Sequence, residues 1–206
     1  MPKPVVLCPW KRDARERRLA ELRALEARAG AEEPVLYADE VDVHLNPKIG
    51  RDWMFPGQKR RVVTPGKNKK LYLAGALDVH TGALHTTGTE RKNAGLLCAL
   101  LKLLDERYGA EVRRIHVILD NYGIRSAHAT LRALGALKGR IVLHFLPPCS
   151  PDANRIERVG QDFHANVTRN HRCKTMNRLL DNAREHLDAY VWRRVTGARA
   201  AFQRAA

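Results

Sequence analysis

RRIHVILDN (113–121) decides how this chain folds. Two arginines precede a run rich in β-branched residues, Ile115 to Leu119, apolar but for His116, which stops abruptly on Asp120 and Asn121. Five residues are too few for a helix. A run with no polar alternation is the pattern of a strand covered on both faces, as in α/β sheets. In open sheets of that kind functional side chains gather at the strand ends and in the loops just beyond. Asp120 therefore ends a buried strand at a position where acids carry chemistry.

Working outward, Ser126 to Lys138 reads as a helix closed by Gly139, and IVLHFLP (141–147) as a second buried strand halted by Pro147-Pro148. From Ala153 to about Tyr190 a polar, helix-compatible stretch follows, in one or two pieces. Upstream, NAGLLCALLKLLDERY (93–108) is an apolar helix capped by Asn93, with Leu96, Leu97, Leu100, Leu103 and Leu104 toward a core. LYLAGALDV (71–79) and VLYADEV (35–41) read as strands, with Thr81-Gly82 as a turn between antiparallel neighbours. Asn46-Pro47, Pro56-Gly57 and Pro65-Gly66 make the intervening segment turn-rich, and Trp53 is read there as a half-buried strand aromatic rather than a base-stacking platform. Residues 11–29 form a charged helix whose narrow stripe, Leu19, Leu22 and Leu25, leans on the main body or a neighbour. Antiparallel strands first and β-α-β units after predict an α/β fold, a mixed five-stranded sheet flanked by helices.

The chain has 206 residues, 44% of them hydrophobic, which suffices for one core-bearing domain. No apolar stretch approaches a membrane span, and the N-terminus lacks the apolar segment of a secretory signal. Cys8, Cys98, Cys149 and Cys173 are scattered without paired spacing, so neither a disulfide framework nor a zinc ribbon is indicated. A cytoplasmic protein is the expectation, with nucleoid association when DNA is bound. Lysine and arginine number 37 against 22 acidic residues, a formal net charge of +15 that attracts polyanions. Double-stranded DNA is the expected partner. Its contacts are assigned to Lys59, Arg60, Arg61, Lys67, Lys69 and Lys70 in the turn-rich segment, and to Arg169, Arg172 and Lys174 further on.

Three acids fall where such a sheet places function. Asp39 lies within the first strand, Asp120 ends the fourth, and Glu157 opens the helix after the fifth. Three converging carboxylates repel one another unless a cation joins them. Oxygen ligands of this kind select Mg²⁺ or Mn²⁺, and two such ions about 3.5–4 Å apart clamp an in-line displacement at a phosphodiester. Each acid also has a plainer reading: Asp120-Asn121 as a turn, Asp39-Glu40 as a solvated strand edge, Glu157 as a partner of Arg155 or Arg158. Asp42, Asp52, Asp152 and Asp162 are spare acids.

The segments YADE (37–40), VILDNYGI (117–124) and HFLPPCSPDANRIERV (144–159) resemble the DDE endonuclease domain of insertion-sequence-630-type transposases of the Tc/mariner superfamily. WMFPGQ (53–58) and LAGALDVHTG (73–82) resemble further segments of that family, so the likeness runs from about Val35 to Tyr190. It implies a ribonuclease H-like fold. It also implies that Asp39, Asp120 and Glu157 are the catalytic, metal-binding triad, with 36 residues between the last two. The implied chemistry is metal-dependent cleavage at transposon ends and strand transfer of the freed 3′-hydroxyl into target DNA, with a homodimer bridging two ends.

The departures are specific. Only about 34 residues precede the first strand, where family members carry a helix-turn-helix region, so residues 1–33 are expected to be a helical extension or linker remnant of a truncated form. Residues 34–192 would be the catalytic domain and 193–206 a basic tail. Arg125 stands where related sequences often have His, Arg155 where they have Pro, and Gly160 where a Trp often follows the Glu. Alternatives are a catalytically dead DNA-binding remnant and a ribonuclease H-like nuclease without strand transfer. His164, His171 and Cys173 lack a fourth ligand and standard spacing for zinc, and a phosphate-contacting role suits that basic stretch better. Asn121 is either a turn residue or an orienter of metal-bound water.

Overall fold

The computed structural model describes residues 8–59, 61–120 and 128–204. The elements run α1 (Arg12–Ala27), β1 (Val35–His44), β2 (Lys70–Asp78), β3 (Leu84–Thr89), α2 (Ala94–Arg107), β4 (Ile115–Leu119), α3 (His128–Ala136), β5 (Ile141–Phe145), α4 (Glu157–Phe163) and α5 (Met176–Arg204). A π-helical turn, His164–Thr168, prolongs α4. The expected boundary at 192 falls inside α5. Among the described residues no helix is long and apolar enough to cross a membrane.

The five strands form one mixed sheet in the order β3-β2-β1-β4-β5. β1 pairs antiparallel with β2 and β2 with β3, whereas β1–β4 and β4–β5 are parallel. All five residues of β4 are buried, as a central strand covered on both faces requires. Alternation along the strands sorts the core into two layers. Leu36, Ala38, Ala74, Ala76, Val117 and Leu119 pack beneath Leu96, Leu97, Leu100, Leu101 and Leu104 of α2. Val35, Tyr37, Leu77 and Ile118 point to the other face, against Leu22 of α1, Leu146, and Ile156 and Val159 around the start of α4. At the far end of β1, Val43 joins Phe163, Val167, Leu179 and Ala183, seating the π turn and α5.

Two sequence expectations meet their physical reasons here. Asn93 caps α2, its side chain accepting from Gly95 N–H at 3.0 Å. The stripe on α1 leans on the main body, with Leu22 fully inside and Leu19 and Leu25 at its flanks. The reading of Trp53 is corrected. It lies in no strand and is 98% exposed, in a loop that also exposes Phe55 and Val63. Three prolines and the left-handed Gly57 and Gly66 (φ 83° and 92°) keep that segment from pairing. Its base is held instead: Leu45 N–H donates to Lys69 O at 2.9 Å and Asn46 Nδ2 to Gly66 O at 3.1 Å.

Candidate metal centre

Register explains why Asp39 and Asp120 meet. Ala38 of β1 stands opposite Leu119 of β4 in a parallel pair, so the next residue on each strand is an aspartate. Neighbouring strands run about 4.8 Å apart, which brings the two carboxylates level with one another. Alternation gives Asp39 the same face as Tyr37, Val41 and Val43, the face on which α4 lies. Glu157 is the first residue of α4, and Ile156 beside it is buried against the sheet.

Gly75 of β2 lies opposite Asp39 in the antiparallel register. A Cβ there would stand 3.3 Å from Ile156 Cδ1. The missing side chain lets α4 approach the strand that bears Asp39, and so brings Glu157 down to it. Nothing in the sequence singled out Gly75 within LYLAGALDV. An isolated glycine inside a strand pattern is the signal for such close approach.

The electrostatics agree with this juxtaposition. Asp39 is exposed at its outer edge, yet crowding by the surrounding protein desolvates its carboxyl and pushes its pKa up. The Glu40 N–H, donating at 2.7 Å, opposes that shift; the nearby charges of Asp120 and Glu157 add to it. Asp120 is raised by desolvation as well. Two neighbouring cations have carboxylate partners outside the triad. Lys92 Nζ pairs with Glu40 at 3.2 Å, and Arg155 Nε with Glu26 of α1 at 2.5 Å rather than with Glu157. Among the described residues no three of the His, Cys, Asp and Glu side chains are close enough to hold an ion without adjustment. Asp39 feels the charges of both Asp120 and Glu157, and closing the three to ligating distance requires a cation between them. The donor set, all carboxylate oxygen on one wet sheet edge, fits a hard divalent ion.

The spare acids separate from this group. Asp42 binds His44 Nε2 at 2.5 Å and Lys48 Nζ at 3.3 Å. Those contacts outweigh its partial burial and hold its pKa down to about 2. Asp162 accepts from Asn166 Nδ2 and pairs with His186 at 2.8 Å, a brace between the π turn and α5. Asp152 lies exposed on a single 3-10 turn.

The histidines of the basic stretch have structural partners of their own. Cys173 N–H donates to His171 Nδ1 at 3.2 Å, so the His171 proton sits on Nε2 and donates to His44 O at 3.2 Å. His164 Nδ1 meets Thr168 Oγ1 at 2.7 Å. These contacts support a folding role for that segment. Lys59, Arg61, Lys67, Lys69, Lys70, Arg169, Arg172 and Lys174 are all exposed. Arg60, Asn121 and Arg125 lie outside the described residues. Arg169, Arg172 and Lys174 line one open groove with Arg178, which the sequence reading passed over. The two basic segments are joined at the base, where Asn170 Nδ2 donates to Gly50 O at 3.1 Å and Gly50 N–H to Asn170 Oδ1 at 3.0 Å.

A mixed sheet in this order, with carboxylates in the middle of β1, just past the end of β4 and at the start of the helix laid across them, has the ribonuclease H-like fold. The model of DDE superfamily endonucleases matches residues 34–180. A curated relative from Shigella sonnei, the insertion element IS630 uncharacterized 39 kDa protein, is 41% identical over 175 residues, covering 84% of this chain and 50% of the relative. The chain therefore belongs to the DDE superfamily endonucleases. It spans half the length of that curated relative. Solved structures show the same fold. The Mos1 transposase paired-end complex with left transposon end is 19% identical at TM-score 0.60, covering 95% of this chain and 62% of that one. The catalytic domain of Mos1 mariner transposase is 17% identical at TM-score 0.56, covering 93% and 91%.

Proposed function

We propose that this chain is the catalytic domain of an insertion-sequence transposase. It cuts DNA strands at the element's ends and joins the freed 3′-hydroxyl to target DNA, using divalent metal held by Asp39, Asp120 and Glu157. The observation that supports the reading is the register that sets Ala38 of β1 opposite Leu119 of β4, so that Asp39 and Asp120 follow side by side, with Glu157 near enough for its charge to act on Asp39. Similar proteins support the metal: Mos1 mariner paired-end complexes were solved with Mn and with Mg. When bound, a pair of such ions activates an attacking hydroxyl and neutralises the leaving oxygen. The chain's own part is to supply anionic oxygens on rigid elements, which close to ligating distance around the ion when it binds.

DNA is the partner this surface fits. The exposed lysines of 59–70 and the groove of Arg169, Arg172, Lys174 and Arg178 place positive charge on two joined segments. A homodimer is the assembly that brings two ends together. The exposed Trp53, Met54 and Phe55 of the β1–β2 loop give it an apolar contact.

The test is a nicking assay on duplex DNA with Mn²⁺, beside a joining assay of a labelled 3′-hydroxyl strand to plasmid. Both products are expected from the parent and neither from Asp120→Asn, while circular dichroism and DNA binding stay unchanged. Nicking without joining would leave a nuclease. Neither product, or nicking that survives Asp120→Asn, would overturn the assignment.

A further inference from the structure

Two of the four cysteines come together from opposite ends of the sequence. The Cys8 thiol lies 3.4 Å from Pro148 O, to which it donates, and so stands against the peptide that leads into Cys149, the next residue. Cys149 is exposed and holds a left-handed backbone, φ 57°, in the connection between β5 and α4. Cys98 sits on α2, and Cys173 is buried with its sulfur accepting from Asn182 Nδ2 at 3.4 Å, so neither has a cysteine beside it. The contact is one of a series. Arg15 Nε donates to Ser150 Oγ at 2.8 Å, Arg18 Nε to Phe145 O at 3.1 Å, and Arg155 pairs with Glu26. The N-terminal segment thus lies along the whole connection that leads from β5 to Glu157.

We propose that Cys8 and Cys149 are a redox-responsive thiol pair, closed to a disulfide by exchange with a low-molecular-weight disulfide, which fastens the N-terminal segment to the loop carrying Glu157. The exposed Cys149 thiolate attacks the small disulfide, forming a mixed disulfide and releasing one small thiol. The Cys8 thiolate then attacks the Cys149 sulfur and displaces the second. Two protein thiols are oxidised, one small disulfide is reduced to two thiols, and the two protons lost by the protein are taken up by the leaving thiolates. A Cys8 sulfur held 3.4 Å from the carbonyl that precedes Cys149 brings the two residues together, where distance between the cysteines is the usual obstacle to a new disulfide. The bond would enclose most of the chain in one loop, the case in which a cross-link most constrains the unfolded state.

The neighbouring Cys8 thiol holds the Cys149 thiol above its ordinary value, and the nearby Arg15 charge works against it. Exchange is therefore slow near neutrality and quickens in alkali, as the thiolate forms.

The experiment treats the purified chain with oxidised glutathione, blocks remaining thiols, and reads intact mass, peptide map and melting temperature. The expected result is loss of two hydrogen atoms, one cross-link joining the peptides of Cys8 and Cys149, and a raised melting temperature reversed by dithiothreitol. Cys8→Ser and Cys149→Ser should lose all three, and a variant with Cys98→Ser and Cys173→Ser together should keep them. A glutathione adduct that persists on Cys149, a cross-link through Cys98 or Cys173, or an unchanged melting temperature in cross-linked protein would each overturn the proposal.

Discussion

Gly75 shows how much of this site depends on one absent atom group. Any side chain there must displace Ile156, and Ile156 precedes Glu157. Gly75→Val is expected to cost about 1–3 kcal/mol of stability through overpacking. It should also lower metal-dependent cleavage about tenfold or more, because misplacing a ligand by a fraction of an ångström is amplified in rate. Denaturant melts and cleavage rates measured side by side check this; cleavage unchanged in a destabilised variant would separate Gly75 from the site. Asp39 and Asp120 were legible in the sequence because each interrupts an apolar strand. Gly75 was not singled out, since its meaning is the distance to a residue 81 positions later. Gly160 was legible only as a departure from a family pattern. Outside its own stretch of helix nothing lies within 4 Å of where its Cβ would be, and a cavity of about 210 Å³ between α4, the β1–β3 strands and α5, which Asp39 and Glu157 also line, borders it.

At the scale of elements, α1 is fastened over the parallel half of the sheet. Beneath its neighbourhood His116 Nδ1 and His144 Nε2, on adjacent strands, are 3.0 Å apart. Burial first, then the facing His116 and the charge of Arg18, push the His144 pKa down to about 4. Burial lowers His116 too; Glu33 opposes this and Arg114 and Arg28 reinforce it. A histidine whose folded pKa is depressed stabilises the fold fully above its ordinary value. That contribution fades as pH falls from about 6.5 toward 4, because the unfolded chain takes up the proton first. Melting temperature is accordingly expected to drop across that window, and His144→Gln to flatten the drop; an equal slope in the variant would remove the histidine pair from the acid response. The elements themselves were largely readable from periodicity, including the capped α2 and four of the five strands; β3 (Leu84–Thr89), polar and glycine-bearing, was counted in the five-stranded sheet but not located. The β1–β2 loop was misread at Trp53, because an aromatic between turn signals looks the same whether it pairs or projects. Only the proline spacing and the pinned loop base decide it.

For the whole molecule, a net charge of +15 becomes useful only where it is gathered. The exposed lysines of 59–70 and the groove of Arg169 to Arg178 are two places where the described surface gathers it. Replacing Lys69 and Lys70 together by Ala is expected to weaken binding to any duplex sequence and to reduce the slope of log affinity against log salt by about 2. Fluorescence anisotropy at several salt concentrations measures both, and an unchanged slope would take these lysines out of the DNA footprint. The sheet order itself was not legible in periodicity, which distinguishes strands from helices but not which strands are neighbours. That order is what makes Asp39 and Asp120 adjacent.

The central claim is that Asp39, Asp120 and Glu157 form one divalent-metal site. Its most direct test is Mn²⁺ titration of the parent and of a variant with all three replaced by Ala, followed by calorimetry and melting temperature. Saturable heat and a raised melting temperature in the parent alone are predicted, since a ligand that binds only the folded state stabilises it by mass action. Equal responses in two folded proteins, or none in either, would contradict the claim.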